Sequence, residues 1–253
     1  MWKVCLCALV AIASLSACRK KPDPVVIDPV STNGNLRFTF QNFAGTQPLV
    51  LNTGWYKNAQ GDSFNVAIYK YYVSNFILIK DDGSEVIEKD SYHLIDEADV
   101  ASHSFTFSKI PEGSYTRVKF LVGVDSAANV SGAQTGALDP IHAMFWDWDS
   151  GYIMAKLEGR SPQSPMIDST YTYHVAGFKG EINVLRTITL NFPQAVHVKS
   201  TTIPNVHVKA DILEWFKTPN ALSIKDYPSI MSGEYLLYLA DNYSDMFTVD
   251  HID

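Results

Sequence analysis

Apolar and polar residues alternate with period two in one segment after another of this chain: Leu36-Arg37-Phe38-Thr39-Phe40, Ser104 to Phe107, and Thr187 to Asn191. That period sends successive side chains to opposite faces of an extended strand, so each segment reads as a half-buried β-strand. Aromatic and β-branched residues crowd the stretch from Phe64 to Lys80, which reads as two strands ending in a hairpin turn at Asp81-Asp82-Gly83. Pro111-Glu112-Gly113 is a second turn, leading into a long strand from Tyr115 to Val124. Amphipathic helices are nearly missing: Asp211 to Lys217 and Tyr235 to Tyr243 each suit one short helix. Many strands, polar turns and few helices predict an all-β domain, a single β-sandwich of Ig-like or Greek-key type with long loops, or a partly open barrel.

The first residues do not belong to that domain. One lysine precedes an apolar run from Val4 to Ala13, which ends in Leu15-Ser16-Ala17-Cys18. The run falls short of the roughly 20 residues of a membrane-spanning helix, and its small residues before a cysteine read as a secretory signal. Leu-Ser-Ala-Cys resembles a bacterial lipobox, which makes residues 1–17 a lipoprotein signal peptide and Cys18 the lipidated first residue. The proline-rich stretch Arg19 to Pro29 then reads as an extended tether over residues 18–34, with the domain at 35–253. About 215 residues are enough for one sizeable core.

Loss of Cys5 and Cys7 with the signal leaves no free thiol, which excludes a structural disulfide and any cysteine-ligated zinc or iron–sulfur centre. It also leaves 19 basic against 27 acidic side chains, a balance that disfavours nucleic acid as a partner.

The stretch from Gly136 to Gly159 combines Phe145, Trp146, Trp148 and Tyr152 with Asp139, Asp147, Asp149 and Glu158. Asp147, Asp149 and Glu158 allow a pair for sugar hydrolysis, but nothing in the spacing distinguishes them from turn-forming aspartates, which are far commoner. The rings allow an aromatic platform for a glycan or protein partner. No GxSxG elbow and no phosphate-cradling glycine loop occurs, so no enzyme is expected. None of the seven histidines forms an HxxxH or HExxH pair. His142 precedes the aromatic cluster, while His93 and His174 each sit in a strand-like setting among aromatics. Ala195 to Lys199 and Asn205 to Lys209 are near copies ten residues apart. A hairpin centred on Thr202 would set His197 opposite His207, as a ligand pair or as an ordinary solvent face.

In order, Tyr71-Tyr-Val-Ser-Asn75, Ser91-Tyr-His-Leu-Ile95, Pro111-Glu-Gly-Ser-Tyr115, Gly136-Ala-Leu-Asp139, Met144 to Tyr152, Lys156-Leu-Glu-Gly159 and Tyr173-His174 resemble the MbnP-like family, in its Bacteroidetes-type lipoprotein branch. That resemblance implies a β-sandwich, copper as the bound metal, and binding without turnover. In the copper-binding members, histidines and a tryptophan oxidised to kynurenine hold the ion, which imidazole and aromatic amine ligands suit. Carried onto this chain, the resemblance implies His174 and His93 as ligands, with His142 added from its place before the cluster. Trp146 and Trp148 are then the candidates for modification. A dihaem peroxidase-like protein and an outer-membrane transporter are the implied partners. Arg19 after the lipidated cysteine favours the outer membrane over inner-membrane retention.

Overall fold

The computed structural model describes residues 32–88, 91–147 and 151–253. The signal peptide, Cys18 and most of the tether therefore lie outside the described residues, as do Trp148 and Asp149. Ten strands carry the architecture: β1 (Asn33–Ala44), β2 (Ser63–Lys80), β3 (Tyr92–Asp96), β4 (Ser104–Pro111), β5 (Gly113–Val122), β6 (Gly151–Arg160), β7 (Thr170–Ala176), β8 (Arg186–Val198), β9 (Asn205–Asp211) and β10 (Phe247–Ile252). Two α-helices accompany them, α1 (Ser126–Val130) and α2 (Tyr235–Tyr243), and Ile212–Phe216 forms a 3-10 turn. Both stretches expected to make short helices do so.

In the smaller sheet, β1 lies between β4, antiparallel to it, and β9, parallel to it, with β10 on the outer edge of β9. The larger sheet runs β8-β5-β2-β6-β7, and β3 adds to the opposite side of β2. Alternation explains the packing. The buried set Leu36, Phe38 and Phe40 of β1 recurs every second residue and faces aromatics from the other sheet. Phe40 meets Phe120 of β5 edge-on at 5.9 Å, and Phe120 meets Phe247 of β10 at 5.3 Å. Edge-to-face contacts of this kind add to the area that the rings bury. The result is the expected all-β sandwich.

Two local expectations fail. Phe64 to Lys80 is one strand, because the chain absorbs its irregularity at Asn75, in the left-handed region at φ 53°, and continues. Asn is among the few non-glycine residues that tolerate this conformation. The 195–209 segment is no hairpin. Val198 ends against β5, where His197 lies opposite Ser114, and the chain then crosses to the other sheet and pairs β9 with β1 from Arg37↔Asn205 onward. Pro204 has no N–H, while its carbonyl accepts from Arg37 N at 2.9 Å, where the new pairing starts.

Candidate functional site

Residues 124–147 lie over the outer face of the larger sheet, and polar groups at the ends of buried side chains fix them there. Tyr72 of β2 and Tyr152 of β6 meet edge-on at 5.8 Å under this cover. Their hydroxyls donate to the carbonyls of Ala137 (3.1 Å) and Leu138 (2.8 Å). Asn129, fully buried on α1, accepts Tyr152 N–H at 2.9 Å and donates to the carbonyls of Val124 and Asp125. Phe145 packs on Tyr152 at 4.9 Å, so this ring is an anchor.

Two lysines complete the strap. Lys70 and Lys156 are register partners on β2 and β6, so their side chains leave the same face. Lys70 Nζ donates to the His142 carbonyl at 3.3 Å, and Lys156 Nζ to the Ala143 carbonyl at 2.6 Å. Ala143 stands at φ 55°, a left-handed residue that ends the Pro140–His142 turn. Lys156 is buried, and this burial lowers its pKa. Charge-assisted bonds to carbonyls compensate for the lost water.

A histidine stands at each end of this strap. At one end, His93 and His142 line a cavity of about 290 Å³ with Asp96, Asp99, Ser102 and Ser104. His93 stacks on Phe105 at 3.5 Å with ring planes 5° apart, and its Nε2 is buried without a hydrogen-bond partner among the described residues. Burial pushes its pKa down to about 4, so this imidazole is neutral at pH 7. His142 Nε2 is 3.0 Å from the Gly136 carbonyl. Asp96 is neutralised by Lys70 at 2.8 Å.

At the other end, the three motifs of the sequence reading converge. His174 lies on β7 opposite Lys156, and Glu158 of β6 reaches it diagonally, with Oε1 2.6 Å from Nε2. The hydrogen bond from His174 holds the Glu158 carboxyl below its ordinary range, so it is a carboxylate. An ionised carboxylate accepts, which puts the His174 proton on Nε2 and the lone pair on Nδ1. Nδ1 is buried and has no hydrogen-bond partner among the described residues. The indole of Trp146 lies 6.0 Å from this imidazole and is 41% exposed.

The three predicted histidines are therefore not one ligand set. His174, Lys156, Lys70 and Asp96 form a row of register partners across β7, β6, β2 and β3. Three strand spacings separate its ends by about 14 Å, too far for one ion to join the His174 end with the His93 end. Glu158 entered the sequence reading only as one of a possible hydrolytic pair, yet here it is committed to His174. Lys70 and Lys156 were missed, although a lysine inside an apolar strand is a signal that something must receive its charge.

A family model described as MbnP matches residues 33–232 of this chain. Among solved structures, the chain is similar to MbnP from Methylosinus trichosporium, with a TM-score of 0.50 at 15% identity over 80% of this chain and 82% of that one. At that identity the likeness concerns the fold. No curated protein sequence matches the chain.

Proposed function

Because the chain belongs to the MbnP family, we propose that it is a non-catalytic envelope protein that binds copper or a related transition ion, with His174 as the residue that holds it. The tautomer of His174 carries this reading. Glu158 accepts the hydrogen bond from His174 Nε2–H at 2.6 Å, which leaves a buried lone pair on Nδ1, unpartnered among the described residues. A carboxylate behind the far ring nitrogen is how proteins orient metal-bound imidazoles and raise their basicity. Imidazole is also a ligand type that suits copper. This one donor is of the type that suits the ion the family implies.

When bound, copper would supply a redox-active Lewis acid. The chain's own part is to fix one imidazole in one tautomer and to set an indole beside it. Trp146, 6.0 Å from that imidazole, is the tryptophan this proposal takes as oxidised, Trp148 lying outside the described residues. Export, the lipid anchor at Cys18, outer-membrane location and the haem-protein and transporter partners belong to the same proposal. His93 is a second neutral imidazole with a free nitrogen, but it serves a separate cavity.

Titration of the full chain with Cu(I) and Cu(II) tests the reading: binding tighter than micromolar is expected, and none would overturn it. Mass spectrometry of protein from its native host reads whether Trp146 has gained kynurenine.

One observation favours a second reading, the binding module. Trp146 also borders an open groove of about 300 Å³ lined by Ala176, Phe178, Ile182, Met231 and Leu236. With Phe145 packed inward, a platform there rests on Trp146 and this groove. Glycan or protein binding that Trp146→Ala abolishes, in a chain that takes up no copper, would favour it.

A further inference from the structure

We propose that His207, His251 and Asp253 form a binding site for a borderline divalent transition ion of the Zn2+ class, separate from the His174 site and independent of the copper reading. One potential ligand atom from each of these residues lies within 4.8 Å of the others, a grouping that arises from strand register. His207 on β9 and His251 on β10 are direct antiparallel partners, and their rings stack at 4.0 Å with planes 13° apart. Asp253 is fixed beside them by a reciprocal pair of backbone hydrogen bonds with Asn205, both 3.0 Å. Its carboxylate reaches both imidazoles, Oδ2 at 3.0 Å from His207 Nε2 and Oδ1 at 3.6 Å from His251 Nε2. Tetrahedral ligation at 2.0–2.1 Å separates donors by about 3.4 Å, so the spacing already approximates that of a ligated set.

A hydrogen bond beside the cluster sets the proton of His251 as ligation requires. Asp250 Oδ2 lies 2.7 Å from His251 Nδ1 and accepts its N–H, which turns the Nε2 lone pair of His251 toward Asp253. This is the carboxylate–histidine arrangement found behind metal-bound imidazoles. On the other ring, His207 Nε2 lies 2.6 Å from Asn205 Nδ2, a donor, and 3.0 Å from Asp253 Oδ2, an acceptor, so these contacts alone do not set its tautomer. With the His207 proton on Nδ1, two imidazole lone pairs and the Asp253 carboxylate face one another, an arrangement that a cation joins. An ion would take the His207 lone pair in place of the Asn205 amide. Two imidazoles and a carboxylate suit zinc, copper or nickel and fit poorly with calcium or magnesium. His251 and Asp253 lie outside residues 33–232, the region matched by the family model.

Calorimetric titration of the full chain with Zn2+ alone tests the proposal, together with the shift of its thermal midpoint. His251 is 49% exposed, so His251→Ala leaves the core untouched. The expected result is that His251→Ala and Asp253→Asn each weaken one zinc equivalent by at least about tenfold, and that Asp250→Asn weakens it by about tenfold. Zinc should raise the thermal midpoint of the wild type and of His174→Gln, and not that of His251→Ala. Zinc affinity and thermal shift unchanged in His251→Ala would overturn the proposal, as would zinc binding lost in His174→Gln alone. Either result leaves the copper reading to be judged by its own titration.

Discussion

Replacing His93 with phenylalanine should change how stability depends on pH, by an amount that follows from the setting of the ring. His93 is stacked on Phe105 with Nε2 buried and unpartnered, and burial lowers its pKa from the ordinary 6.5 to about 4. The folded chain therefore resists the proton that the unfolded chain accepts between these values. Above pH 6.5 neither state is protonated and His93 contributes no pH dependence. As the pH falls toward 4, the unfolded state gains the proton and the folded state loses stability relative to it, by about 3 kcal/mol in total. Phenylalanine keeps the stacked ring and removes both the titration and the unpartnered nitrogen. Urea unfolding followed by tryptophan fluorescence at pH 7, 5.5 and 4 measures this directly. His93→Phe should be at least as stable as the wild type at pH 7, and its advantage should grow by about 3 kcal/mol by pH 4. The other groups that line the His93 cavity are the same in both proteins and cancel in the difference. A difference that stays constant from pH 7 to pH 4 would refute the reasoning.

Three further substitutions probe the frame and the candidate ligand. A Cβ at Gly159 would stand 2.0 Å from the Asn65 carbonyl oxygen, so Gly159→Ala must part β2 from β6 and should cost about 3 kcal/mol or more in urea unfolding. Asn129→Ala leaves the buried Tyr152 N–H and Val124 carbonyl unpaired and should destabilise by about 2 to 4 kcal/mol. Its thermal midpoint, read by circular dichroism, should fall accordingly. Glu158→Gln keeps a hydrogen-bonding side chain beside His174 and removes the charge that fixes its tautomer, so copper affinity should fall about 10- to 100-fold with the fold intact.

The sandwich was legible because period-two alternation reports which face of a strand is buried, and Leu36 to Phe40 or Thr187 to Asn191 carry that pattern without interruption. Where local chemistry breaks the pattern, the reading went astray. Asn75 looked like the end of a strand and is a bend within one, because a single left-handed residue shifts register without ending the pairing. His197 and His207 looked like partners because their surroundings repeat, but which strands pair is decided by where their apolar faces bury. Val206 and Val208 bury in the sheet of β1, so His207 meets His251 instead. His174 was legible as a candidate, whereas its tie to Glu158 depends on the register of β6 against β7. The lysine strap likewise exists only once Lys70 and Lys156 become neighbours.

The central claim is that the imidazole of His174, held by Glu158 with Nδ1 free, is the ligand through which this chain takes up copper. Competitive titration of Cu(I) and Cu(II) into the wild type, His174→Gln and His93→Phe, each also carrying His251→Ala so that the His207–His251–Asp253 cluster cannot hold the ion, tests it most directly. The account predicts tight binding in the wild type and in His93→Phe, and a loss of at least about 100-fold in His174→Gln, more than removal of an orienting partner costs. Copper bound as tightly by His174→Gln as by the wild type would contradict it.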